Sequence, residues 1–146
     1  MNDKIILGAL AGTIGAFLQD LCGYIAEIIG FSDRGFIDFA RAVILFNIKS
    51  GALETFLASI AHIIWDLLLG ILFAYLIKNT SDSFYYLKAL IYGLVLWFMI
   101  HTAGTLFRLP LFFRIPASAA MATLLGAIVY SLGIAFIIKF LEKRPN

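Results

Sequence analysis

Residues 52–77 read ALETFLASIAHIIWDLLLGILFAYLI. The stretch is long and apolar enough to cross a hydrocarbon core of roughly 30 Å as a helix. It also carries Glu54, Ala58, His62, Asp66, Gly70 and Ala74, each four residues after the last, so a helix places all six on one face. A membrane helix with two acids and a histidine on its small-residue face predicts a partner helix or a wet space on that side, because an ionisable group facing lipid costs at least a few kcal/mol.

Three further stretches have the same character. The apolar spans run over residues 5–29, 52–77, 84–107 and 117–140. Helices are the expected form, since an open sheet would leave unpaired backbone in lipid and no alternating barrel-type strand pattern is present. The chain is 62% hydrophobic and 14% charged over 146 residues, against about 45–50% and about 25% in soluble domains. The expectation is a single transmembrane domain, residues 1–146, built as an all-α bundle of four transmembrane helices. The first apolar stretch has no clearly positive leader and no Ala-x-Ala site, so it reads as an uncleaved span. The net charge of +2 and the lack of a basic tract argue against nucleic acid as a partner; the lipid bilayer is the expected one. The one cysteine, Cys22, forms no intrachain disulfide and reads as a small buried residue.

Between the first two spans, residues 34–48 are too short to cross and contain Asp38 and Arg41. They predict an amphipathic helix in the interface, with a re-entrant segment packed on the bundle as the competing reading, and Ser32 or Asp33 as a cap. Residues 78–83 form a polar hairpin that includes Asp82. Residues 108–116 hold Pro110 and Pro116 and cannot be one continuous helix. Tyr85, Tyr86, Phe112 and Phe113 fit an aromatic belt at headgroup level. Lys4, Lys78, Lys88, Lys139, Lys143 and Arg144 share one side, and Arg34, Arg41, Lys49, Arg108 and Arg114 the other. This near balance leans toward both termini in the cytoplasm, because the hairpin and tail are basic; dual topology with antiparallel dimers is the alternative.

Each span has a small-and-polar face. In the first, Gly8, Gly12, Ala16, Asp20, Gly23 and Glu27 align, and Gly8 with Gly12 forms a GxxxG helix-packing pair. In the third, Gly93, Trp97, His101 and Gly104 align; in the fourth, Thr123, Gly126, Tyr130 and Gly133. Asp20 lies 16 residues from Lys4, His62 16 from Lys78, and His101 17 from Phe84. At about 1.5 Å per residue all three sit roughly 24 to 26 Å from one membrane face. Asp20, His62, Asp66 and His101 are therefore expected to form one central polar layer, with Gln19 contributing an amide and Glu27 and Glu54 at the mouth.

Histidine beside carboxylate suits proton or cation handling, so the leading expectation is a small polytopic protein that binds or translocates a proton, cation or small polar solute. The same four residues, His62, His101, Asp66 and Asp20, are also a nitrogen–oxygen donor set for a divalent metal, and so for a membrane-embedded metalloenzyme. A bis-histidine haem between His62 and His101 is a weaker cofactor alternative. A non-catalytic subunit binding partner helices, or a polar cluster that only fixes helix register, requires no ligand. A thin four-helix bundle has little room for a private pore, so transport implies a homo-oligomer, with the Gly8–Gly12 face as its contact.

Overall fold

Asp3 starts the first helix: its Oδ1 accepts the backbone N–H groups of Ile5 (2.9 Å) and Ile6 (3.2 Å), two of the donors a helix start leaves unpaired. The computed structural model describes residues 3–46, 49–81 and 83–142. Five helices follow in order: α1 Lys4–Ile28, α2 Phe36–Leu45, α3 Ala52–Lys78, α4 Tyr85–Leu106 and α5 Ala117–Glu142. Among the described residues there are no strands. Helices α1, α3, α4 and α5, of 25, 27, 22 and 26 residues, are each long and apolar enough to cross a membrane. The chain is a four-helix membrane bundle, and their outward side chains, such as Phe17, Leu68 and Phe98, are apolar and exposed.

The bundle does not follow chain order. Helix α1 sits in the middle, packed along α3 on one side and α5 on the other, while α4 packs on α5 and barely meets α3. The close α1–α3 seam comes from missing side chains. Gly8 lies against Ile71 so closely that an added Cβ would come within 2.5 Å of Ile71 Cα, and a Cβ at Gly70 would come within 2.6 Å of Gly12 Cα. The Gly8–Gly12 face expected to join subunits is thus already covered by α3 of the same chain. At the terminal end the core holds Leu7, Phe73, Ile134 and Ile138, all essentially buried.

Helix α2 packs on the bundle, chiefly against α3. It begins later than the expected residue 34: Gly35 is its N-cap, and the Asp38 carboxylate accepts the Gly35 N–H at 3.0 Å. Ser32 instead donates to the Arg34 carbonyl (2.8 Å), so neither Ser32 nor Asp33 caps the helix. It ends at Phe46, whose φ of 49° is left-handed. The last expected residues, 47 and 48, lie outside the described residues, as do Asp82, Lys143 and Arg144.

The aromatic belt is half corrected. Tyr86 and Phe113 are exposed, but Tyr85 and Phe112 are buried. Tyr85 donates its hydroxyl to the Ala135 carbonyl at 3.0 Å. Phe112 fills the notch over Gly104 and packs on Phe39, 4.8 Å between ring centroids. The third connection thereby folds back under α2, and Arg34 ties the two together: it donates to the Leu111 carbonyl (3.0 Å) and forks onto Asp33 at 2.8 and 2.6 Å. That fork holds the Asp33 carboxyl below its usual range.

Candidate functional site

Close approach of α1 and α3 lets short polar side chains meet across the seam. Directly beyond the Gly12 contact, Gln19 donates through Nε2 to Asp66 Oδ2 at 2.7 Å. His62, one turn before Asp66, places Nε2 2.8 Å from Asp20 Oδ1 and 3.3 Å from Asp66 Oδ2. One imidazole nitrogen therefore stands between two carboxylates on different helices. His62, Asp66 and Gln19 are buried, while the Asp20 side chain keeps about a quarter of its surface exposed. From α5, Tyr130 donates to the Asp66 backbone carbonyl at 2.5 Å. From α2, Phe36 stacks on the His62 ring, centroids 5.9 Å apart and planes within 15°, and it fills the gaps beside Gly23 and Gly126.

His101 belongs to a second group. Its Nδ1 donates to the Trp97 carbonyl at 2.9 Å, one turn back on α4, and its Nε2 lies 3.3 Å from Thr123 Oγ1 on α5. Trp97 Nε1 donates to the same hydroxyl and to the Ala120 carbonyl, both at 3.2 Å. The ring is enclosed by Trp97, Phe112 and Phe39, with centroids at 4.8, 5.8 and 6.0 Å. The expected four-residue layer is thus two sites: Asp20, His62 and Asp66 converge, and His101 turns to its own helix and to α5. Among the described residues no three His, Cys, Asp or Glu side chains form a group that could hold a metal ion. The donor set of His62, His101, Asp66 and Asp20 is not assembled.

Between the two sites lies a cavity of about 590 Å³. Helices α3 and α4 leave their hairpin together, with Phe73 against Tyr92 (5.2 Å) and the Tyr92 hydroxyl on the Leu69 carbonyl (2.7 Å). Beyond that tie they separate, and α2 closes the far end. His62, Asp66 and Gln19 line one wall; His101, Trp97 and Thr123 line the other. The rest is apolar. Glu27 and Glu54, expected at a mouth, do not line it: Glu27 lies against Gly35 at the start of α2, and Glu54 against Gly51 at the start of α3. Asp20 does not line it either and reaches it only through His62.

Gln19 is legible in the sequence as part of the layer. The Phe36 stack and the Trp97–Thr123 clasp are not, because both depend on α2 folding back and on α4 choosing α5 over α3. The i,i+4 spacing of Trp97 and His101 is the one hint the sequence offers. Comparison with known protein families, curated proteins and solved structures finds no match to this chain.

Proposed function

We propose that this chain is a multi-pass membrane protein that takes up and releases a proton, in exchange for a cation or small polar solute, at the Asp20–His62–Asp66 cluster. The observation that supports this reading most is the single His62 nitrogen held between two carboxylates. With His62 neutral and both acids ionised the group carries two negative charges; one proton reduces that to one, and a second removes it. Each proton changes the charge beside a largely apolar cavity by a whole unit, where electrostatic effects are strong. Asp20, partly exposed and outside the cavity, and Asp66, on its wall, are the two ends between which His62 can pass a proton.

A register-fixing cluster would need less. Interhelical polar contacts in membranes average only about 0.6 kcal/mol, and three ionisable groups are a costly way to gain that. The reading includes both termini in the cytoplasm and assembly with a second copy through a face other than Gly8 and Gly12; reporters fused to each end and cross-linking in membranes test these two points. The central test is pH-driven flux in proteoliposomes, with a pH-sensitive dye inside. We expect flux that His62→Ala abolishes. Equal flux in the variant, or equal infrared pH-difference spectra of the carboxyl groups in the two proteins, would sink the proposal.

A further inference from the structure

We infer that the cavity between α3 and α4 binds a hydrophobic organic cation, an amine or onium ion with apolar bulk, entering sideways from the bilayer. The inference rests on the reading of Asp20–His62–Asp66 as an ionisable site and names what that site exchanges for its proton.

Four observations carry it. The volume of about 590 Å³ falls in the usual range for small-molecule sites, about 300–1,000 Å³. The side of the cavity is open at mid-helix: Trp65 and Leu72 on α3 and Met99 on α4 line it and are 51%, 54% and 59% exposed. Such an opening lies within the apolar length of the spans and admits lipid-soluble molecules. The walls contain no lysine or arginine; of their two histidines, His62 is held between Asp20 and Asp66 and His101 donates to the Trp97 carbonyl, and their one carboxylate, Asp66, is buried. Charge complementarity therefore favours a cation over an anion. Finally, Trp65, Trp97, Phe36, Phe39 and Phe112 put aromatic rings around the chamber, and aromatic faces attract desolvated cations. A strongly hydrated inorganic ion gains little from such walls.

Cation and proton then compete for one carboxylate. The titratable groups around Asp66 are Asp20 on α1, His62 on its own helix, Tyr92 on α4 and Tyr130 on α5. Helix α2 presents Phe36 to His62, with its Arg41 turned away to Asp38 (2.7 Å) and Thr55 (3.2 Å). Entry of one cation releases one proton, and charge balances.

The test is equilibrium binding of tetraphenylphosphonium to the protein in lipid nanodiscs, with protein-free discs subtracted and released protons counted. Tetraphenylborate, equal in shape and opposite in charge, is the control. We expect saturable phosphonium binding, about one proton released per cation, affinity rising up to about tenfold per pH unit, and at least about tenfold weaker binding in Asp66→Asn. Leu96→Trp, which fills the cavity and leaves the cluster in place, should abolish binding while the carboxyl infrared pH-difference signal persists. No saturable binding in a parent whose carboxyl groups still titrate overturns this inference and leaves the proton site standing. Equal binding of the borate, or unchanged phosphonium affinity in a folded Asp66→Asn, also overturns it. Absence of the titration signal itself in the parent would instead remove the reading beneath both.

Discussion

Gly70→Ala should damage the polar cluster without touching any residue in it. An alanine Cβ at this position would lie 2.3 Å from the Gly8 carbonyl oxygen and 2.6 Å from Gly12 Cα. Ordinary contact begins at about 3.4 Å, and both neighbours are helical backbone that cannot rotate aside, so α1 and α3 must part by roughly 1 Å there. One turn along the seam, the Gln19–Asp66 hydrogen bond is 2.7 Å; adding that displacement takes it to about 3.7 Å, beyond a useful bond. Overpacking of this kind costs about 1–3 kcal/mol, and breaking an interhelical hydrogen bond adds about 0.6 kcal/mol. The expected total is about 2–4 kcal/mol. Reversible unfolding in mixed micelles measures it, and carboxyl infrared pH-difference spectra should change in the same variant. A Gly70→Ala protein within about 0.5 kcal/mol of the parent, with unaltered spectra, would refute the claim that backbone contact at Gly12 and Gly70 sets the cluster's geometry.

Gln19→Ala removes the amide donor to Asp66 and should lower stability by about 1 kcal/mol in the same assay, while altering the pH dependence of flux. Phe36→Ala empties the gap beside Gly23 and Gly126 and uncovers His62; a loss of about 3 kcal/mol, with faster histidine modification by diethylpyrocarbonate, is the expected pair of results. Asp66→Glu keeps the charge but adds one methylene to a buried side chain that meets Gln19 at 2.7 Å and His62 at 3.3 Å, so its flux should fall below the parent's. The Asp33–Arg34 pair lies in the loop, and its depressed Asp33 value means that its contribution is present above the ordinary 3.8 and fades as pH falls through the lower folded value. Because Asp33 is exposed, the effect should be under about 1 kcal/mol and weaken with salt, read as the difference in melting temperature between parent and Asp33→Asn across that window.

Local pattern carries the four spans, because crossing a membrane depends on length and apolar content, which are properties of each segment alone. The same holds for the faces. The i+4 run through His62, Asp66 and Gly70 and the run from Gly8 to Asp20 face one another in the fold. What the pattern does not supply is which helix neighbours which. Equal depth makes His101 look like a partner of His62, since α3 and α4 are joined by a short hairpin and antiparallel neighbours are the usual outcome. The choice is instead made by small residues far from the hairpin: Gly93 lies against Ser131 and Ala127 of α5, and Trp97 reaches Thr123 and Ala120. Those contacts draw α4 to α5 and leave the space on its α3 side. In α2, the apolar positions that suggest a helix lying in the interface also serve a helix packed on protein, and hydropathy does not distinguish the two surfaces.

The glycine seam and the acids beside it are one device. Aspartate and glutamine side chains are short, and they span two membrane helices only where the backbones nearly touch. Gly8, Gly12 and Gly70 create that approach on the terminal side of the cluster, and Phe36 fills the opening on the other side, where the seam widens toward Gly23. Held from both directions, His62 has one nitrogen fixed between Asp20 and Asp66 while its helix still borders the cavity. Helix α4 borders the same cavity while barely meeting α3, tied to it near their hairpin and otherwise held to α5 through Gly93 and Trp97.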